Sequence, residues 1–434
     1  MFKKSKIFLA IALVLLMSFT SITAVLATNL NGDNALIATN ENSPVQAAIT
    51  KHLRMPIGTP TPNITFTFNV QKISVDDRTT QEDLATMPDL LPNPLTISFT
   101  AADTPNTTDE LSDPARTVSV RKETDNIFQG VTFPHAGIYV YKITENRPAG
   151  TTLEGVFEDG NELWYYSRAS YELIVHVANR SQGGTFVRAL GTRRITSDPG
   201  QPEGIKVDPT PGGYEEEYFF SQMEFRNDYI KTDAPDIPNP VTASTLFVSK
   251  TVGGDMGDKT RHFNFLMTLT APEIIQTAET PPYYRAFVIE NGSIIDPVHN
   301  AEASLIGGTE TKYIRVPANG SAAFTLTHGQ RLSFADLPIG TRYTVVETVA
   351  PGYDTGIRVI TPGGATPDEL VPGVNSGNQN VGQATSRAEF TNTRDGVTPT
   401  GLNLNDLPFI GLIVLALGAL TIFVVLKVRK RNYD

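Results

Sequence analysis

The sequence predicts an all-β protein, two β-sandwiches in tandem between apolar terminal segments, and three observations predict it. Apolar residues alternate with polar ones: Ile64, Phe66, Phe68 and Val70 share one face, Tyr171, Leu173, Val175 and Val177 another, and Phe263, Phe265, Met267 and Leu269 a third. The 34 Gly and 30 Pro punctuate short runs of this kind, and no helical stripe is sustained between the two ends. Three residue types also recur twice in the same order: Lys51, Glu145 and Asn227, then Lys250, Glu347 and Asn392.

Taken in chain order, residues 1–27 read as a secretion signal, with Lys3, Lys4 and Lys6 ahead of an apolar stretch and the small residues Val25 and Ala27 before a cut. Residues 28–45 carry no apolar alternation and are expected to be a flexible leader. A first sandwich is expected over 46–230, a Pro-rich linker over 231–242 and a second sandwich over 243–394. Lys51 to Glu145 spans 94 positions and Lys250 to Glu347 spans 97, so the first parts of the two units match in length. Glu to Asn is 82 positions in the first unit and 45 in the second, which places an insertion near 151–218. Trp164, the only Trp, lies within it and is expected in the core. The uncharged run 409–426 is long enough to cross a bilayer, and the basic tail 427–434 is expected to stay on the cytoplasmic side.

Composition narrows the function classes. With 46 acidic and 35 basic side chains the net charge is −11, which repels nucleic acid and anionic lipid. A chain of 434 residues is too long for one core. The absence of Cys removes disulfides and thiol chemistry. The His residues show no metal-ligand spacing, Ser forms no nucleophile elbow, and the acids form no evident catalytic pair, so neither a metal, a cofactor nor a turnover enzyme is expected.

The repeated triplet points to a different chemistry. In a strand, residues two apart share a face, so Lys51 goes with Ile49 and Leu53, Glu145 with Tyr141 and Ile143, and Asn227 with Phe225. Lys250 goes likewise with Val248, Glu347 with Val345 and Asn392 with Phe390. All six polar groups are expected to point inward, where burial lowers a Lys pKa and raises a Glu pKa. A neutral amine can then attack the Asn carboxamide while the protonated Glu holds its carbonyl oxygen and shuttles protons to leaving ammonia. The product would be an amide between the first and last strands, formed once, autocatalytically. By analogy with disulfide loop closure, such a ring is worth roughly 5 kcal/mol. An ordinary buried ion pair capped by Asn is the other reading of the same residues.

Several motifs carry a resemblance. Phe247-Val248-Ser249-Lys250-Thr251-Val252, Phe263-x-Phe265, Leu337-Pro338-x-Gly340, Tyr343-Thr344-Val345-Val346-Glu347 and Phe390-Thr391-Asn392-Thr393 resemble, in order, the isopeptide-linked domain of Gram-positive backbone pilins. The first unit is similar through Ala48-Ile49-Thr50-Lys51, Ile138-x-x-Tyr141-x-Ile143-x-Glu145 and Phe225-x-Asn227. The resemblance implies immunoglobulin-like sandwiches of the collagen-adhesin B type, bonds Lys51 to Asn227 and Lys250 to Asn392, and Glu145 and Glu347 as autocatalytic groups.

Val397-Thr398-Pro399-Thr400-Gly401 ahead of the apolar run resembles a cell-wall sorting signal, although Pro stands one place nearer the Thr than in the usual Leu-Pro-x-Thr-Gly. A plain membrane anchor remains the other reading. The resemblance implies a sortase that cleaves between Thr400 and Gly401, keeps Thr400 as acyl donor, and joins it to a lysine of the next subunit. Lys206 is the first choice for that acceptor and Lys231 the second. The partners so implied are a sortase, further copies of the chain, minor pilins, peptidoglycan and a host or environmental surface ligand. The leading expectation is therefore a pilus subunit, and the alternative is a monomeric wall-anchored adhesin whose 151–218 segment binds a ligand.

Overall fold

A computed structural model of the chain describes residues 36–106, 111–113, 116–212, 222–232, 239–274, 281–297, 303–304, 313–361, 369–396 and 407–431. Its first half contains β1 (Leu36–Ile37), β2 (Ile49–Pro56), β3 (Ile64–Val75), the short helix α1 (Gln81–Ala85), β4 (Leu95–Phe99), β5 (Thr117–Glu123), β6 (Gly137–Glu145), β7 (Val156–Asp159), β8 (Glu162–Tyr165), β9 (Ser170–Asn179), β10 (Thr185–Thr196) and β11 (Met223–Lys231). These strands form a six-stranded sheet, β1-β10-β9-β6-β3-β4, and a five-stranded sheet, β5-β2-β11-β8-β7. Apolar side chains from both sheets make one core, among them Phe66, Phe68, Tyr139, Tyr141, Tyr171 and Phe225.

The second half contains β12 (Leu246–Gly253), β13 (Phe263–Thr270), β14 (Tyr283–Glu290), β15 (Ser293–Ile294), β16 (Ala303–Ser304), β17 (Tyr313–Pro317), β18 (Asn319–Leu326), β19 (Arg331–Phe334), β20 (Arg342–Glu347), β21 (Asp354–Ile360), β22 (Val371–Pro372), β23 (Gln379–Asn380) and β24 (Ser386–Thr393). They form a nine-stranded sheet, β16-β17-β14-β19-β12-β24-β21-β22 with β15 on β14, and a four-stranded sheet, β18-β13-β20-β23. A second core joins them through Val248, Phe263, Phe265, Phe324, Val345 and Phe390.

The same strand arrangement lies at the centre of each half. β11 runs parallel to β2, and β24 runs parallel to β12, so the last strand of each half is hydrogen-bonded to its first. Two parallel neighbours cannot be joined by a hairpin, and here nearly the whole half forms the connection. Alternation governs what faces inward: along β6, Tyr139, Tyr141, Ile143 and Glu145 are buried while Val140, Lys142 and Thr144 are less so.

The two halves differ on the outer face of the paired strands. In β24 only alternate residues are buried, whereas β2 is buried on both faces. The reason is that the segment after β10 folds back over β2 and β11: Gln201 donates from Nε2 to Glu224 Oε2 at 3.1 Å, and His52 and Arg194 are buried beneath the same cover.

Three features differ from the sequence expectations. Residues 36–45, expected in a flexible leader, are docked, with β1 antiparallel to β10 and the Val45 N–H donating to the Val187 carbonyl at 3.1 Å. Edge pairing by the backbone needs no apolar alternation, so the pattern gave no sign of it. The 151–218 segment contains β7 to β10, which are integral strands of both sheets rather than an appended loop. The terminal helix α2 (Leu407–Arg431) is longer than the expected apolar run, and Pro408–Arg429 within it is long and apolar enough to cross a membrane. Residues 1–27 and most of the linker, 233–238, lie outside the described residues.

The halves meet directly. The Ile339 N–H donates to the Lys231 carbonyl at 2.9 Å, Arg116 pairs with Glu273 at 2.7 Å, and Ile230 packs with Ile274 in a small apolar cluster. Gly340 sits at φ +82°, and a Cβ there would come within 2.3 Å of the Pro56 Cβ across this joint. Gly340→Ala is expected to cost at least about 1–2 kcal/mol from backbone conformation, with the clash in addition. Urea denaturation should show the loss and small-angle scattering a loosened joint; an unchanged curve would contradict this account.

Candidate functional site

In each half the parallel pair sets the geometry of the triplet. Lys51 is registered with Phe225 and Leu53 with Asn227, while Lys250 is registered with Phe390 and Val252 with Asn392. Lys and Asn therefore stand on neighbouring strands, two positions out of step, on the same inward face. Glu arrives from the opposite sheet, where Glu145 is registered with Phe68 and Glu347 with Phe265. All six polar side chains are buried.

The contacts within each triplet are short. Lys51 Nζ lies 2.6 Å from Glu145 Oε2, and Asn227 Nδ2 donates to Glu145 Oε1 at 2.8 Å. Lys250 Nζ lies 2.7 Å from Glu347 Oε1, and Asn392 Nδ2 donates to the same oxygen at 2.5 Å. In both halves the carboxyl group thus faces the amide nitrogen of Asn, whereas the sequence reading expected it on the carbonyl oxygen. In the first half that oxygen is occupied otherwise: Asn227 Oδ1 accepts the backbone N–H of Ser167 at 2.7 Å.

Aromatic rings close each site. Lys51 Nζ lies 4.4 Å from the Phe66 ring centroid and Lys250 Nζ 4.2 Å from that of Phe263. Phe68 packs on Phe225 at 4.9 Å, and Phe265 on Phe390 at 5.2 Å between centroids. A Phe-x-Phe pair on the strand beside the Glu therefore supplies both the lid over the amine and the wall behind the carboxyl group. Its alternation was visible in the sequence, but nothing there assigned it to the site.

Burial dominates the electrostatics. Loss of hydration pushes the Lys51 amine down and the Glu145 carboxyl up, each opposed by the other's charge. The direction favours a pair that shares one proton as neutral amine and neutral acid. Lys250 is pushed down to about 8 by burial, against the pull of Glu347. Chemically, both sites hold a nucleophile poised to be uncharged, a proton carrier and a carboxamide in one dry pocket.

The remaining residues singled out from sequence lie elsewhere. Lys206 is exposed and bridges to Arg193 of β10, whereas Lys231 is half-buried at the end of β11 beside Trp164 and Tyr229 in a cleft of about 440 Å³. Trp164 itself is buried against Tyr229, with ring centroids 4.2 Å apart. Thr400 and Gly401 lie outside the described residues. Among the described residues no group of three His, Asp or Glu could hold a metal ion.

The lowered Lys250 pKa has a consequence for stability wherever its amine remains free, as in Asn392→Ala. Between about 8 and the ordinary value of 10.5 the unfolded chain binds the proton that the folded one has shed. Stability of the second half is therefore expected to rise with pH across that window and to be at its lowest below it, for this group. Urea denaturation of Asn392→Ala on either side of the window checks the sign.

Comparison with known proteins gives the following. Residues 244–394 match a family model described as a domain of unknown function (DUF7601). A pilin of Streptococcus pyogenes serotype M1 is 26% identical over 428 residues, covering 96% of this chain and 98% of the relative. The crystal structure of the major pilin from Streptococcus pyogenes aligns with 81% of this chain and 99% of its own at 21% identity and a TM-score of 0.31. A pilus-presented adhesin (Cpa) aligns with 80% of this chain and 100% of its own at 12% identity and a TM-score of 0.23. The match to the serotype M1 pilin runs through both halves and on into the apolar helix, so the chain is similar to that pilin over nearly its whole length, and its C-terminal helix is long and apolar enough to cross a membrane.

Proposed function

We propose that this chain is the backbone subunit of a covalently polymerised pilus, built from two immunoglobulin-like sandwiches of the collagen-adhesin B type over 46–230 and 243–394. Each sandwich closes itself with an isopeptide bond, Lys51 to Asn227 assisted by Glu145 and Lys250 to Asn392 assisted by Glu347. The observation that carries this reading is the repeated register: in both halves Asn lies two positions beyond the residue paired with Lys, with a Glu contacting both.

The chemistry follows from that arrangement. The neutral Lys amine attacks the Asn carboxamide carbon, and the Glu carboxyl group, already on the leaving nitrogen, relays a proton from the amine to it. Ammonia departs and a secondary amide remains. The fold holds the reacting groups together, so no cofactor is needed and the reaction occurs once. An accidental pair of buried Lys–Glu contacts would have no reason to keep this register twice, and it is weak evidence of stability by itself.

Intact mass spectrometry of the full chain is expected to show a deficit of one ammonia per sandwich. Glu145→Ala and Glu347→Ala should each restore one ammonia, and a mass equal to the plain sequence would rule out both bonds.

For assembly, we place Thr400 as the acyl donor released from Gly401 by a sortase, and Lys206 as the acceptor ahead of Lys231. The exposure of Lys206 favours it, because Lys231 is half-buried at the joint and its carbonyl is engaged by Ile339. Cells that carry the sortase should yield ladders of covalent multimers on boiled gels, lost in Thr400→Ala and in Lys206→Ala. A single mature band from the wild type would instead favour a monomeric wall-anchored adhesin.

A further inference from the structure

The two triplets are not equivalent, and the difference lies on the carbonyl oxygen. In the first sandwich Asn227 Oδ1 accepts the Ser167 backbone N–H at 2.7 Å. In the second, Asn392 Oδ1 is buried and has no hydrogen-bond partner among the described residues. Ser167 belongs to the connection between β8 and β9 and is itself 2% exposed.

That connection is held in place by one buried carboxylate. Asp198, 2% exposed, accepts the Ser167 hydroxyl at 2.7 Å and the Arg168 N–H at 2.7 Å on one side, and the Arg226 N–H of β11 at 3.0 Å on the other. Arg226 immediately precedes Asn227. Asp198 thereby clamps the Ser167 backbone to the strand that presents the reacting amide, and it comes from the segment that follows β10. This gives the 151–218 segment a part in the chemistry: it supplies both the donor and the clamp.

We propose that the Ser167 N–H is an oxyanion donor for formation of the Lys51–Asn227 bond, with Asp198 as its positioning residue, and that the second sandwich closes without this assistance. The inference rests on the isopeptide reading above. As the Lys51 lone pair forms the new C–N bond, the carbonyl π electrons move onto Oδ1, where the Ser167 N–H meets the growing charge. Glu145 carries a proton from the amine to Nδ2, the C–Nδ2 bond breaks, ammonia leaves and Oδ1 recovers its double bond. A donor already 2.7 Å from that oxygen in a dry site needs no reorganisation to act.

The test uses the full chain prepared in denaturant, with no bond yet formed, and refolded by dilution into detergent. Trp164, the only Trp and buried against Tyr229, reports folding of the first sandwich by fluorescence, independently of the bond. Ammonia loss at each sandwich is then followed by peptide mass spectrometry after the fluorescence has settled. Ser167→Pro, which removes the N–H, is expected to slow the Lys51–Asn227 reaction about 100-fold. Asp198→Ala is expected to slow it about tenfold, the worth of a lost hydrogen bond. The Lys250–Asn392 reaction in the same molecules serves as the internal clock and should keep its rate.

If Ser167→Pro folds and closes the first sandwich at the wild-type rate, the proposal is wrong. Should that variant never reach the folded fluorescence, hydrogen exchange in Glu145→Ala, where the bond cannot form, decides instead. A protected Ser167 amide that Asp198→Ala exposes supports the assignment, and exchange at the rate of a free loop overturns it. A wild-type chain that loses no ammonia from either sandwich would sink the isopeptide reading itself, a result distinct from both.

Discussion

The parallel pairing of first strand with last is the constraint on which each half of this molecule depends. It brings the two ends of a long segment into hydrogen-bonded contact and sets Lys and Asn on one inward face, two positions apart. Once an amine is committed to that face, the interior must answer it, because an unpaired buried charge costs several kcal/mol. The Glu from the opposite sheet supplies the answer, and the Phe-x-Phe pair on the strand beside it keeps water out. Ladder, core and polar site are thus one structure, in which moving any strand by a single residue would turn the triplet outward.

The halves then diverge in what they add to this frame. β2 and β11 are covered on both faces, so that His52 and Glu224 are buried behind the strands that carry the triplet. Burial of Glu224 would raise its pKa, but the neighbouring His52 and the Arg226 guanidinium, which donates to it at 2.8 Å, outweigh burial and hold it below the usual carboxylate range. The same cover brings Asp198 within reach of Ser167 and Arg226. In the second half β12 and β24 are buried on alternate residues only, and the carbonyl oxygen of Asn392 gains no comparable donor among the described residues. The longer Glu-to-Asn spacing of the first half is the covalent record of this additional layer.

Much of this was legible because strands have period two. Parity alone puts Lys51, Glu145, Asn227, Lys250, Glu347 and Asn392 on apolar faces, and the all-β character follows from the same alternation. What parity cannot supply is contact between segments that have no period. Ser167 and Asp198 lie in connections, where neither spacing nor apolar neighbours mark a backbone N–H as a donor. The docking of residues 36–45 was hidden for a related reason, since β1 is only two residues long and its pairing uses backbone groups common to every sequence. The orientation of the Asn amides was also beyond reach, because it is decided by which hydrogen-bond partner the surrounding loops provide.

The proposed linkage assigns the two bonds different mechanical duties. Tension that enters at Lys206 passes along the chain into β11 and reaches the joint without crossing the Lys51–Asn227 amide, since Lys206 and β11 are successive in sequence. Such a bond would staple β2 and the strands behind it to a strand already under load. In the second half tension enters at β12 and must leave beyond β24, and the parallel ladder between those two strands is pulled along its length. Hydrogen bonds sheared in this way carry the load only together, whereas an amide from Lys250 to Asn392 would carry it alone and leave the intervening residues unextended. The contacts at the joint, from Ile339 to Lys231 and from Arg116 to Glu273, lie beside this line of force rather than in it, and so act to hold the halves in alignment.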